Sequence, residues 1–263
     1  MTGPLYEHDF HTTVVALQSF IKGAIPVTVH ASTDTINEMD PVFAQMAAAS
    51  VGHCWAVPEL TDREKVFLAL VADICQPALG LPFEMHVRAG LRRGVSTADM
   101  RALLRLISYD SGYVAALGAL ERLAEIEAAA GLPRPEAEPL PSELLETGPG
   151  AAPTPLPAPV RAELTKLDPY FLEYFDLQSR MRGVQGPGTL SVRERAFMTM
   201  SVDVHYQTLD ETFRIHVGRA LGAGATPEDV RAVLRFNAQF GATRAWQAWK
   251  ALNACLADLA PTH

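Results

Sequence analysis

Cysteine is scarce in this sequence. Its three thiols, Cys54, Cys75 and Cys255, are too few and too scattered for a disulfide framework. No two are spaced Cys-x-x-Cys, so a thioredoxin-like redox pair is absent. Basic charge is also short: 22 Lys and Arg stand against 30 Asp and Glu, for a net charge of −8. That balance argues against a nucleic-acid partner and against an anionic membrane surface. No uncharged apolar run reaches the roughly 18 residues that a membrane span needs. The N-terminus lacks the basic and apolar regions of a signal peptide, which leaves a cytoplasmic protein as the expectation. No Gly-x-Gly-x-x-Gly or P-loop is present to hold a nucleotide. Strand signals are few; 25–29 looks extended, but Pro26 demotes it. What remains is a globular composition, 48% apolar.

Proline is concentrated. Nine of the 19 prolines fall within residues 131–160, a stretch expected to be neither helix nor inner strand. We read it as a linker or a strap that divides the chain in two. The halves are copies. Leu60-Thr61-Asp62-Arg63-Glu64-Lys65 and Leu190-Ser191-Val192-Arg193-Glu194-Arg195 are offset by 130 positions (190 − 60). At the same offset Phe67 meets Phe197, Asp73 meets Asp203 and His86 meets His216, and Gly94 and Asp99 meet Gly224 and Asp229. Ungapped agreement of this length marks an internal duplication. Asp40-Pro41-Val42-Phe43 and Asp168-Pro169-Tyr170-Phe171 extend it upstream at an offset of 128 (168 − 40). The expected organisation is an extension over 1–36, a first domain over 37–130, a linker over 131–160 and a second domain over 161–263.

Each copy reads as helices. Val66, Phe67, Leu70, Val71 and Ile74 recur at three- and four-residue steps. Pro82 suits the first turn of the next helix, and Gly94 a C-terminal stop. Ser96 and Asp99 open another helix with a hydroxyl cap and a first-turn acid. The Ala-rich stretches 115–127 and 244–259 suit close packing. The fold class is all-α. Thr208-Leu209-Asp210-Glu211 reads as a capping box, which predicts a helix boundary between His205 and His216.

The pattern Leu-x-x-Arg-Glu, an apolar helix, a His on the next helix, then Gly-x-Thr-x-x-Asp, stands complete in copy two. In copy one it stands as Arg63-Glu64, His86, Gly94 and Asp99. This resembles the carboxymuconolactone decarboxylase and alkylhydroperoxidase D superfamily over about residues 37–127 and 166–259. The resemblance implies an all-helical fold, small-molecule pockets near the His, and assembly into trimers or hexamers of single domains. A fused pair then leads to a homotrimer as the expected assembly, with a dimer as the other choice. The peroxidase branch carries Cys-x-x-Cys before the His. Here those positions hold Gly80 and Phe83, and Asp210 and Phe213, so thiol cycling is not expected.

The other branch does cofactor-free acid/base chemistry on small carboxylated or lactone-like molecules, for which His is suited near pH 7. The expectation is therefore a decarboxylase-like lyase, or an isomerase or cyclase on the same scaffold, or a binding protein that keeps only the pocket. His216, His205 and His86 are the candidate catalytic residues. Arg193 is the candidate anchor for a substrate carboxylate, with Tyr206, Asp210 and Trp246 as further substrate contacts. His205, Asp210, Glu211 and His216 contain metal-binding atoms, but their spacing fits no strong metal pattern, and no metal or other cofactor is assigned. Copy two is chemically the richer, since His205 and Tyr206 stand where copy one has Cys75 and Gln76.

Overall fold

The computed structural model describes residues 33–148, 150–154, 156, 158–182 and 188–259. The extended segment 25–29 and the N-terminal His8, Asp9, His11 and His30 lie outside them. Among the described residues the chain is all-α. Copy one comprises α1 (Thr33–Met39), α2 (Pro41–Trp55), α3 (Asp62–Cys75), α4 (Leu81–Arg92), α5 (Thr97–Ser111) and α6 (Tyr113–Ala129). After a short 3-10 turn, Ser142–Leu144, come α7 (Ala158–Leu167) and α8 (Pro169–Arg182). Copy two continues with α9 (Val192–Tyr206), α10 (Glu211–Gly222), α11 (Pro227–Asn237) and α12 (Ala242–Leu259). No helix among them is long and apolar enough to cross a membrane.

The repeated punctuation starts the repeated helices. Thr61 and Glu64 close a capping box on α3, and Ser191 and Glu194 close one on α9. Thr226 and Asp229 do the same for α11, while the Ser96 hydroxyl caps α5. The proline-rich stretch carries two departures from the sequence expectation. The 3-10 turn interrupts it, and α7 begins inside it at Ala158, with Pro159 in the first turn. That turn needs no N–H from Pro159, so the ring is tolerated.

The halves interlock rather than stand apart. α3 and α9 pack against each other about a local two-fold. Leu68 and Ala69 of α3 are buried with Phe197, Phe213, Phe236 and Leu252 of copy two. The equivalent face of α9 is exchanged in return: Met198 and Val202 are buried with Phe67, Phe83, Leu103 and Leu123 of copy one. Two reciprocal ion pairs close the junction. Arg63 Nε donates to Glu194 Oε1 at 2.6 Å, and Arg193 Nε donates to Glu64 Oε1 at 2.7 Å. The other oxygen of each glutamate accepts its own cap N–H, from Thr61 at 2.8 Å and from Ser191 at 2.7 Å. Each carboxylate therefore starts its own helix and clamps the opposite copy.

The duplication slips by one residue near its end. In α6 the buried positions are Ala116, Ala119, Leu123 and Ile126; in α12 they are Ala245, Ala248, Leu252 and Cys255, an offset of 129 (245 − 116). The slip arises where α5 runs on to Ser111 but α11 stops at Asn237 and tightens into the 3-10 turn Ala238–Phe240. Phe240 consequently stands at the end of a 3-10 turn, with Gly241 behind it.

Candidate active site

The two histidines at the duplicated position each sit on an acid. In copy one, α4 presents His86 to α3, and its Nδ1 lies 2.6 Å from Asp73 Oδ2. In copy two, α10 presents His216 to α9, and its Nδ1 lies 2.6 Å from Asp203 Oδ2. An ionised carboxylate accepts the Nδ1 proton and leaves Nε2 to take or give the reacting one. Sequence reading singled out the histidines and missed their partners. The signal was present: a lone acid recurs in both copies on a mostly apolar helical stretch, 13 residues before the His. Burial of an unpaired carboxylate is costly, so such an acid calls for a partner.

The surroundings of the two pairs differ. His86 keeps 20% of its side chain exposed; His216 keeps 7%. Asp203 is held twice, since Thr208 Oγ1 also donates to its Oδ1 at 2.6 Å. The capping box expected at Thr208 is not formed: α10 begins at Glu211, so the N-cap falls on Asp210, which makes no side-chain cap bond. Copy one has Ala78 at the equivalent position, which leaves Asp73 with His86 as its hydrogen-bonding side chain. Burial pushes the Asp73 carboxyl above its ordinary range, and His86 pulls it back in part. Beside His216 stands a further acid, Asp110 at the end of α5. Arg182 Nη2 donates to its Oδ2 at 2.6 Å, and burial pushes its pKa up against the pull of Arg182 and His216. The copy-two pair is thus enclosed in its own network of charges.

The copy-one pair faces copy two instead. The Phe240 ring meets His86 edge-on at 6.1 Å between centroids, and meets His205 at the same distance. Gln76, at the end of α3, joins the group. Arg244 Nη2 donates to Gln76 Oε1 at 2.6 Å, and Gln76 Nε2 lies 3.4 Å from His205 Nδ1. The amide orientation set by Arg244 makes Gln76 Nε2 the donor and His205 Nδ1 the acceptor, which places the His205 proton on Nε2. Nε2 is buried and makes no hydrogen bond among the described residues. His205 itself is 6% exposed. Burial, and then the charge of Arg244, hold its pKa down to about 4, with Asn237 pulling slightly the other way.

Two of the expected acid/base groups thus come together, but the pairing crosses the copies: His205 joins His86 through Phe240. The lowered pKa of His205 favours its neutral ring near pH 7. Arg193 does not reach this group. Its guanidinium is engaged by Glu64, by Asp229 Oδ2 at 2.9 Å and by Glu59 O at 3.2 Å, so a substrate carboxylate would have to displace protein partners. Tyr206 is adjacent, in hydrogen-bonding contact with the Cys75 thiol; burial pushes both groups up to about 12. Asp210 is exposed at the start of α10. Trp246 is 64% exposed, with Lys250 Nζ 4.9 Å above its ring, so it lines the surface of α12. Gln76, Phe240 and Arg244 carried no sequence signal, because their role exists only where the two copies meet.

A groove lies at the strap, away from this group. Residues 136–141 wall an open groove of about 710 Å³, whose other sides include Arg105, Tyr109, Tyr113, Gln178 and Arg182.

The chain is an all-helical fold with a His–Asp pair in each half, and comparisons with known proteins bear on that fold. Residues 173–254 match the Carboxymuconolactone decarboxylase family. The match runs from α8 into α12 and takes in Asp203, His205, His216 and Arg244. Nearly the whole chain also shares its fold with a crystal structure of a candidate gamma-carboxymuconolactone decarboxylase subunit from Burkholderia xenovorans LB400. That likeness covers 95% of this chain and 98% of the other, with a TM-score of 0.54 and 22% sequence identity. No curated protein matches the chain.

Proposed function

We propose that the protein is a decarboxylase-like lyase that acts on a small cyclic carboxylated or lactone substrate by proton transfer at His86. The observation that carries this reading is the His86–Asp73 pair, partly open to solvent and facing a neutral His205 across Phe240. As carbon dioxide leaves, the bonding pair passes into the conjugated carbonyl of the substrate, and the carbon left behind takes a proton from His86 Nε2. Asp73, across Nδ1, stabilises the imidazolium that gives it. His205 Nε2–H, neutral and without an acceptor, suits a hydrogen bond to the oxygen on which charge gathers. No redox partner enters, since carbon dioxide is lost without net oxidation.

The test is to assay chelator-treated protein with carboxymuconolactone and to follow carbon dioxide with substrate loss. Release in step with loss supports the reading. Loss without release favours rearrangement, and a requirement for added flavin, nicotinamide or metal overturns the cofactor-free reading. For assembly the same reading takes a trimer. The two helices that open on Asp-Pro repeat an exposed apolar face, Val42, Phe43 and Met46 on α2 and Tyr170, Phe171 and Tyr174 on α8, which suits repeated contacts around a ring. A monomer mass in light scattering would overturn it.

A further inference from the structure

Arg244 is a half-buried cation that meets no carboxylate among the described residues. Its guanidinium donates to two neutral oxygens, Gln76 Oε1 at 2.6 Å and Phe240 O at 2.8 Å. Arg63, Arg101, Arg182 and Arg193 all meet carboxylates. Arg244 also stands in the first turn of α12, where the helix dipole is itself positive. The backbone makes room for it: Gly241 has φ +153, and a Cβ there would stand 2.8 Å from Arg244 Nε. A partly desolvated cation at a helix N-terminus is unfavourable alone and favourable with an anion beside it. A second observation points to a ligand at the same place: His205 is 94% buried and linked to Arg244 through Gln76, and its buried Nε2 makes no close hydrogen bond, although Asn237 acts on the ring from the copy-two core.

We propose that Arg244 is the counter-ion for the substrate carboxylate, holding it against Phe240 beside the His86–Asp73 pair. The proposal rests on the reading above and names the group that selects an anionic substrate. It assigns to copy two the anchor for a reaction centred on copy one, so a working site needs both copies. The aromatic edge contacts behind Phe240, with Phe236 at 5.9 Å and Trp55 beyond it, suit a flat ring. The site also exists once per chain. Under the 129 offset, the residue equivalent to Arg244 is Ala115, and beside His216 the acid Asp110 repels a second carboxylate.

The experiment is calorimetric titration of the whole protein with benzoate as the probe and benzamide as its neutral control. Benzoate is expected to bind at one per chain. Arg244→Gln is expected to weaken it roughly tenfold to a hundredfold, with Arg244→Lys in between, while benzamide binding changes little. In turnover, Arg244→Gln raises KM more than it lowers kcat. Unchanged benzoate affinity in Arg244→Gln, two benzoates per chain, or no binding at millimolar benzoate would overturn the proposal. Should the variants fail to fold, the wild-type protein still decides. Saturating benzoate must shift the imidazole NMR signals of both His86 and His205, and silence at either overturns the proposal. Benzoate binding needs no catalysis, so a chain that binds it through Arg244 yet releases no carbon dioxide would sink the lyase reading alone.

Discussion

The two His–Asp pairs began as one design and now stand in opposite conditions. His216–Asp203 is sealed, with a hydroxyl on its acid and an Arg182–Asp110 pair beside it. His86–Asp73 lacks that hydroxyl, and it shares the Phe240 ring with the buried His205, which Gln76 links to Arg244. On the proposed reading, this difference rather than the histidines themselves marks the pair that would do the chemistry. Satisfied polar groups stabilise; unsatisfied ones held in place by a fold are where a ligand has something to complete.

The largest expected effect tests that contrast directly. His86→Gln should lower kcat/KM by roughly two to four orders of magnitude, the usual weight of a general acid, while His216→Gln should leave turnover nearly intact. Equal losses in steady-state kinetics would mean that both pairs work. Next comes the junction, where the copies should behave alike. Glu64→Gln and Glu194→Gln should each cost roughly 1–3 kcal/mol in urea unfolding, because each weakens a clamp and a helix cap together. A cost in one copy only would break the pseudo-symmetry.

A third expectation concerns His205 and its counterpart Cys75. The unfolded chain protonates His205 near pH 6.5, while the folded protein resists until about pH 4. The unfolded state thus binds the extra proton, and stability falls as pH drops through that window. His205→Asn should flatten this part of the stability profile; Cys75→Ser should not. The smallest effect is at Thr208. Thr208→Ala makes Asp203 resemble Asp73 and should cost about 1 kcal/mol by thermal melts. A neutral result would remove the hydroxyl from the reasons that the copy-two pair is closed.

Much of the fold could be read from the chain because its signals are local. Caps such as Ser96 and Thr226, the Gly94 and Gly224 stops and the apolar stripe of α3 act within a few residues, and duplication let each be read twice. The one-residue slip before α12 was not legible, since it depends on a 3-10 turn rather than on a gap in the aligned motifs. At the site, position was legible and partnership was not. His86 and His216 were found by their offset, but the assignment of Arg193 as an anchor failed to foresee that Glu64 would hold it. His205 and His86 share the Phe240 ring, a meeting across α3 and α9 that neither residue's place in the sequence announces.

The crossed glutamates have a consequence for how the chain matures. Their arginine partners lie 129 and 131 positions away, so the contacts that lock the junction are among the most distant the molecule makes. Loop closure over such a span is slow, and folding rates fall as the average separation of contacts grows. While the protein is being synthesised, α3 must wait with Leu68 and Ala69 uncovered until α9 has emerged. During that interval the nascent first half carries a bare apolar face, and this is the stage at which a chaperone would find the most to hold.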